Sequence, residues 1–341
     1  MLFETSRLPG RGESGFSQAG CVRETKPAAL DDIVVTDDVM KGIFRMALKV
    51  ASSEVPALIM GETGVGKDIL AMYIHENSTR RRSRMVRISC PALPENLVES
   101  ELFGHEKGAF TGADEAKPGL IEVADGGTLL LDEITEISPA IQTKLLRFLD
   151  DGKFLHLGGN REISVDTRIM ATTNRDPQEA IESGHFRKDL FFRLSTIQLY
   201  VPPLRDRKED ILPMAAAFAG RAAEVHAKPP LSMSEDFNER LLAYGWPGNV
   251  RELQAVIESA IVMSEGAALT AKDLPHQVRT YGKKPAGGPS ALREKKEETE
   301  RDLIIETLEN CGWNQTKAAR LLGISRRSIV YKIKRFNLRK P

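Results

Sequence analysis

Cysteine is scarce in this 341-residue chain: Cys21, Cys90 and Cys311 are an odd number, widely scattered, with no Cys-x-x-Cys spacing. That pattern excludes a disulfide framework and a cysteine-type zinc site, and it points to a reducing cytoplasm. Long apolar runs are lacking too. No uninterrupted stretch reaches membrane-spanning length, and the polar N-terminus has no signal-peptide core, so no membrane partner is expected. Net charge is also absent, with 48 Lys and Arg against 48 Asp and Glu. The balance is uneven, because residues 312–341 contain no Asp or Glu while Lys and Arg recur through them. A neutral total hides a basic C-terminus.

What is present is led by Gly61-Glu62-Thr63-Gly64-Val65-Gly66-Lys67-Asp68, which follows the apolar run Pro56-Ala57-Leu58-Ile59-Met60 and precedes a helical pattern. Strand, glycine-rich turn and helix are the context a phosphate-cradling loop requires. Glycines let backbone N–H groups close around phosphate oxygens, the helix start adds partial positive charge, and Lys67 adds a full one. A nucleoside triphosphate, ATP with Mg²⁺, is the expected ligand. The position after Lys67 commonly holds a Ser or Thr metal ligand; here it is Asp68, able to serve the metal through water.

At this length two or three domains are expected. Residues 1–30 lack a hydrophobic period and read as a flexible tail. Residues 31–205 alternate strands with helices, the clearest strands being 57–60, 85–88, 128–131, 168–172 and 197–200. Continuous apolar runs of this kind suit a parallel sheet covered on both faces. Residues 206–278 read as an all-helical unit with helices over 211–225, 235–244 and 250–263. Residues 279–298 form a Gly/Pro/Lys/Glu linker, and 299–341 a last helical cluster. The fold class is α/β: a P-loop core with a parallel sheet and a helical lid, plus a small all-α domain.

Leu129-Leu130-Leu131-Asp132-Glu133 is an apolar strand ending in two acids. Beside a P-loop, Asp132 is the expected Mg²⁺ carboxylate, acting through water, and Glu133 the general base; alone they read as two solvated acids. Ala171-Thr172-Thr173-Asn174 ends another strand, where Thr173 and Asn174 either sense the γ-phosphate or cap a turn. Arg187 and Arg193 stand among aromatics in Phe186–Leu194, either on the solvated face of an amphipathic helix or as arginine fingers offered to a neighbouring subunit. In Trp246-Pro247-Gly248-Asn249-Val250-Arg251, Asn249 is the expected N-cap. Arg251 in the first helical turn opposes the helix dipole unless an anion faces it.

Gly108-Ala109-Phe110-Thr111-Gly112-Ala113 puts a bulky apolar residue on a glycine-bounded turn. Exposing Phe110 forgoes roughly 2 kcal/mol of burial. Either the ring tucks back against the sheet, or the tip engages another protein in one nucleotide state.

This segment is identical to the signature loop of bacterial enhancer-binding proteins, the AAA+ ATPase activators of sigma-54 RNA polymerase. The resemblance runs from about residue 31 to the C-terminus. It takes in Glu101-Leu102-Phe103-Gly104-His105-Glu106, Leu131-Asp132-Glu133, Phe192-Arg193-Leu194, Pro203-Leu204-Arg205-Asp206-Arg207 and Trp246-Pro247-Gly248-Asn249-Val250-Arg251-Glu252-Leu253. It implies a ring homo-oligomer, commonly hexameric, with ATP between subunits. Lys67 would contact phosphate, Asp132 and Glu133 form the acidic pair, Thr173 and Asn174 the first sensor, Arg251 the second, and Arg187 and Arg193 act in trans. Phe110 and Thr111 would touch sigma-54. Two positions depart from the family pattern: Asp68 where Glu is usual, and Ser89 where an Asn usually restrains the catalytic Glu. Hydrolysis is expected to be retained.

In the basic C-terminus, helices over 302–309, 315–322 and 326–336 are expected, the second capped by Asn314 and the third by Ser325. Two short helices about the turn Gly323-Ile324-Ser325 read as a helix-turn-helix, resembling the Fis-type domain. Ser325, Arg326, Arg327, Ser328, Tyr331 and Lys332 are the candidate contacts to double-stranded DNA, with Arg326 and Arg327 reading bases. A rival reading is a regulator that uses ATP only to assemble on DNA; a metabolic P-loop enzyme fits the C-terminus poorly. The first thirty residues are too short for a sensing domain, so control by another protein in trans, or by expression level, is expected.

Overall fold

The computed structural model describes residues 22–24, 33–90 and 94–281, with isolated positions between 304 and 332. In chain order come β1 (Val22–Glu24), α1 (Asp38–Ala51), β2 (Ala57–Met60), α2 (Lys67–Glu76), β3 (Met85–Ser89), α3 (Glu95–Phe103), α4 (Leu120–Val123) and β4 (Thr128–Asp132). Then follow α5 (Pro139–Asp151), the hairpin of β5 (Lys153–Leu155) and β6 (Glu162–Ser164), β7 (Arg168–Thr173), α6 (Pro177–Glu182), α7 (Lys188–Leu194) and β8 (Ile197–Tyr200).

The sheet order is β1-β3-β4-β7-β2-β8. β3, β4, β7, β2 and β8 run parallel, as their apolar runs require. Alternation divides each strand between two layers. Leu129 and Leu131 join one core with Phe103, Ile121 and Phe148, while Leu130 joins the other with Ile59, Leu70 and Ile74. The inner strands β4 and β7 are therefore buried on both sides and read as continuous rather than alternating, whereas the outer strand β8 leaves Gln198 and Tyr200 exposed. The parallel arrangement also brings the ends of β2, β4 and β7 to one edge, where crevices of such sheets bind ligands.

Three strands run one residue further than their apolar runs, so Ser89, Asp132 and Thr173 lie within β3, β4 and β7. Three residues of the expected tail also take up structure: β1 pairs antiparallel with β3, the outermost of the parallel strands on that side, with Val22 opposite Ile88. An edge offers unpaired N–H and C=O groups to any extended segment, whatever its hydrophobic period. The β5–β6 hairpin had no sequence signal, being three residues per strand with a single buried side chain, Phe154.

Beyond β8 come α8 (Ile211–Val225), α9 (Glu235–Ala243) and α10 (Asn249–Met263), enclosing a separate core around Phe237, Leu241, Trp246, Leu253 and Ile257. This helical part belongs to the same compact unit as the sheet, residues 1–279; residues 280–341 form a second. In that second unit Ile304, Leu308, Ala318 and Ile329 are buried. Lys332, expected to point outward, is half-buried. Ser325, Arg326, Arg327, Ser328 and Tyr331 lie outside the described residues.

Candidate nucleotide site

The loop from Gly61 to Asp68 leaves β2 and winds into α2, which starts at Lys67. Gly61, Gly64 and Gly66 all have positive φ. At Gly64 the need is also steric, since a Cβ would stand 2.5 Å from the carbonyl oxygen of Gly248. The start of α10 docks here: Val250 N donates to the Gly64 carbonyl at 3.0 Å and Arg251 N at 3.4 Å. Arg251 itself is exposed.

Lys67 is buried, and its Nζ donates to the Gly61 carbonyl at 2.9 Å and to Glu133 Oε1 at 3.2 Å. Glu133 takes a left-handed backbone, φ 55, a conformation disfavoured without glycine and common at functional sites. Two bonds hold it: its N–H donates to Thr172 Oγ1 at 3.1 Å, and its Oε2 accepts Asn174 N–H at 2.7 Å. Asn174 Nδ2 reaches on to Thr63 Oγ1 at 3.0 Å, so one asparagine joins Glu133 to the phosphate loop. Thr173, its expected companion, is fully buried with its hydroxyl 2.9 Å from that of Thr135. Thr172 is the threonine that touches the acids, donating its hydroxyl to Asp132 Oδ1 at 2.6 Å. The strand pleat decides this, since adjacent side chains point to opposite faces.

Asp132 and Asp68 meet on Arg87, a residue the sequence reading passed over. Its Nη2 lies 2.5 Å from Asp132 Oδ2 and its Nη1 2.7 Å from Asp68 Oδ2. Burial pushes the Asp68 carboxyl above its ordinary value, against the pull of Arg87. Burial works against the charge of Arg87, but Asp132 and Asp68 outweigh it and raise its pKa. Among the described residues no cluster of three or more His, Cys, Asp or Glu side chains could hold a metal ion. One or two carboxylates beside phosphates is instead the donor set Mg²⁺ uses, and Asp132 and Asp68 fit it.

Asn249 corrects an expectation. Its side chain does not cap α10: Oδ1 accepts Leu204 N–H at 2.8 Å, while Nδ2 donates to Glu62 Oε2 at 3.1 Å and the Thr63 carbonyl at 3.0 Å. Its φ of 53 turns the amide away from the helix axis and into the phosphate loop. Glu62 also pairs with Arg205, and that bond holds its carboxyl down to about 2.

Beside Gly66 opens a cavity of about 440 Å³, mostly apolar, lined among others by Ile33, Val35, Phe44, Met72, Met214 and Phe218. It has the size and character of a base-binding pocket. Arg207 also lines it, buried, with Nη2 on the Val65 carbonyl at 2.6 Å and Nε without a partner among the described residues. No motif marked these residues, because they come from three distant segments and share only apolarity.

Arg187 is bonded to Asp189 and Arg193 to Asp150 and the Leu149 carbonyl, none of them residues of the phosphate loop. In the signature loop, Gly108 N donates to the Ala113 carbonyl at 2.8 Å, closing the turn. Gly108 and Gly112 have φ of 82 and 99, yet a Cβ on either would meet nothing within 4 Å, so their glycine requirement is conformational. Thr111 is exposed; Phe110 is 40% exposed with its ring edge-on to His105 at 5.0 Å. The ring is thus neither buried in the sheet nor fully free. The loop base is bonded to the hairpin through Glu106 N to the Leu157 carbonyl, and His156 stands between Glu106 and Glu122.

Residues 33–200 match the family model for the sigma-54 interaction domain, 205–290 that for the AAA+ ATPase lid domain, and 296–336 that for the bacterial regulatory protein, Fis family. The chain is 43% identical over 312 residues to the regulatory protein AtoC of Escherichia coli, covering 90% of this chain and 68% of that one. It is 43% identical over 301 residues to a Nif-specific regulatory protein of Azotobacter vinelandii, covering 88% of this chain and 58% of that one. Crystal structures of NtrX from Brucella abortus in complex with ADP and with ATP superpose with TM-scores of 0.71 and 0.70. Both are 30% identical, cover 91% of this chain and are themselves covered to 71%.

Proposed function

Because the chain belongs to the sigma-54 interaction-domain family of AAA+ ATPases, we propose that it binds upstream enhancer DNA and uses ATP hydrolysis to remodel the sigma-54 RNA polymerase closed complex into an open one. It works as a homo-oligomeric ring, hexameric by family resemblance, in the cytoplasm. Residues 31–205 carry the ATPase core, 206–278 the lid, 279–298 a linker after the tail of 1–30, and 299–341 the DNA contact through Ser325, Arg326, Arg327, Ser328, Tyr331 and Lys332.

The observation that carries the reading is the joining of Lys67, Glu133 and Asn174 within 3.2 Å at the open edge of the sheet. Backbone N–H groups of Gly61 to Gly66 cradle the phosphates and Lys67 neutralises them. Asp132 and Asp68 would hold Mg²⁺, which when bound supplies charge compensation on the phosphate oxygens. Glu133 accepts the proton of the attacking water, and Asn174 keeps its carboxylate turned toward Thr63. Thr173 keeps the β7 end packed against Thr135. Arg251 reports the phosphate state to the lid, while Arg187 and Arg193 reach the site of the neighbouring subunit. Phe110 and Thr111, presented by Gly108, Ala109, Gly112 and Ala113, press on sigma-54.

A reconstituted transcription assay with sigma-54 polymerase, ATP and supercoiled template tests this. Thr111→Ala should abolish open-complex formation while sparing binding of ATP and DNA. Full activity in that variant would favour the rival, a regulator that uses ATP only to assemble.

A further inference from the structure

Arg87 puts a cation in the middle of a strand whose neighbours are apolar. It faces Leu130 of β4 and Arg23 of β1 in register, and Ser89 pairs with Asp132. Alternation therefore places Arg87, Ser89 and Asp132 on one face of the sheet. From there its guanidinium spans the carboxylates of Asp68, in the first turn of α2, and Asp132, at the end of β4. The charges close into two groups: Lys67 with Glu133, and Arg87 with Asp68 and Asp132.

Each oxygen of Asp132 thereby already has a partner, Oδ1 the Thr172 hydroxyl and Oδ2 the Arg87 guanidinium. A divalent cation approaching Asp132 meets a positive charge already on the oxygen it needs. Because these groups are only partly exposed, the two cations repel more than they would in water.

We propose that Arg87 is a resident stand-in for the divalent cation, holding Asp68 and Asp132 together until metal and nucleotide arrive and lowering metal affinity by competing for Asp132. The inference deepens the nucleotide-site reading above and rests on it. Its sign separates it from a supporting role. A neighbour that merely orients a metal-binding carboxylate raises metal affinity; a competitor lowers it. Arg87 is a positioning residue in the empty site and must swing off Asp132 before the loaded one forms.

The test is Mn²⁺ binding to the full chain with saturating ADP, read by electron paramagnetic resonance, for wild type, Arg87→Met and Arg87→Lys. Arg87→Met should bind Mn²⁺ tighter by on the order of tenfold, the scale on which surrounding groups tune metal sites. Arg87→Lys, whose ammonium reaches fewer oxygens at once, should fall between. Without metal, Arg87→Met should melt at a lower temperature than wild type, and Mn²⁺ should restore it. Equal or weaker Mn²⁺ binding in Arg87→Met overturns the proposal. Should that variant not fold, unchanged or weaker binding in Arg87→Lys overturns it equally. Wild type that fails to bind ADP at all would instead sink the nucleotide-site reading beneath it.

Discussion

The ammonium of Lys67 and the carboxylate of Glu133 form an ion pair, Nζ to Oε1 at 3.2 Å, with side chains only 5% and 15% exposed. In the mechanism proposed above, each would be the partner the other loses when nucleotide enters, with phosphate taking the lysine and water the glutamate. Lys67→Ala should therefore abolish binding of a fluorescent ATP analogue. Glu133→Gln should keep binding and lose at least about a hundredfold in phosphate release, the scale of a positioned general base. Hydrolysis surviving in Glu133→Gln would move the base elsewhere.

Asn249 holds the lid to the phosphate loop. Asn249→Ala leaves the buried Leu204 N–H without its acceptor and puts a Cβ residue without a polar side chain at φ 53. Chemical denaturation should show a loss of about 2–4 kcal/mol, combining an orphaned donor with left-handed strain. Asn249→Gly loses the same bonds without the strain, so its loss should be smaller. Equal losses would remove the backbone from the explanation.

Stability at acid pH should depend on Glu62. The bond to Arg205 holds its carboxyl down to about 2 in the folded chain, below its ordinary 4.5. Its contribution is therefore fully present above pH 4.5 and is lost as the pH falls from there toward 2. Glu62→Gln should lower thermal stability slightly at neutral pH, where the charged pair is lost, and flatten the fall below pH 4.5. The effect is small because the pair with Arg205 is partly solvated.

Arg187 and Arg193 contact no phosphate-loop residue of their own chain. Arg187→Ala or Arg193→Ala should leave nucleotide binding intact and cut turnover roughly a thousandfold, as loss of an arginine finger does. Mixing either variant with Lys67→Ala should restore part of the ATPase activity, because mixed neighbours complete one intact site. No recovery on mixing would place the arginines in cis.

The readable features of this chain are those that depend on near neighbours along it. Apolar runs marked the parallel strands most clearly at β2 and β4, where burial on both faces leaves almost no polar positions, and glycine spacing fixed the loop around Lys67 because the turn needs positive φ. The signature loop was legible for the same reason at Gly108 and Gly112. Contacts between distant segments carry no local signature. Choosing Thr172 over Thr173 depends on the register of β7 against β4, which sets Thr172 beside Asp132, and turning Asn249 from a cap into a clasp depends on the docking of α10 on the phosphate loop. Arg87 sits 19 positions from Asp68 and 45 from Asp132, so only the pairing of β3 with β4 and the placement of α2 beside them bring the three charges together. Their attraction acts through space, and the distances through space exist only once the sheet has formed.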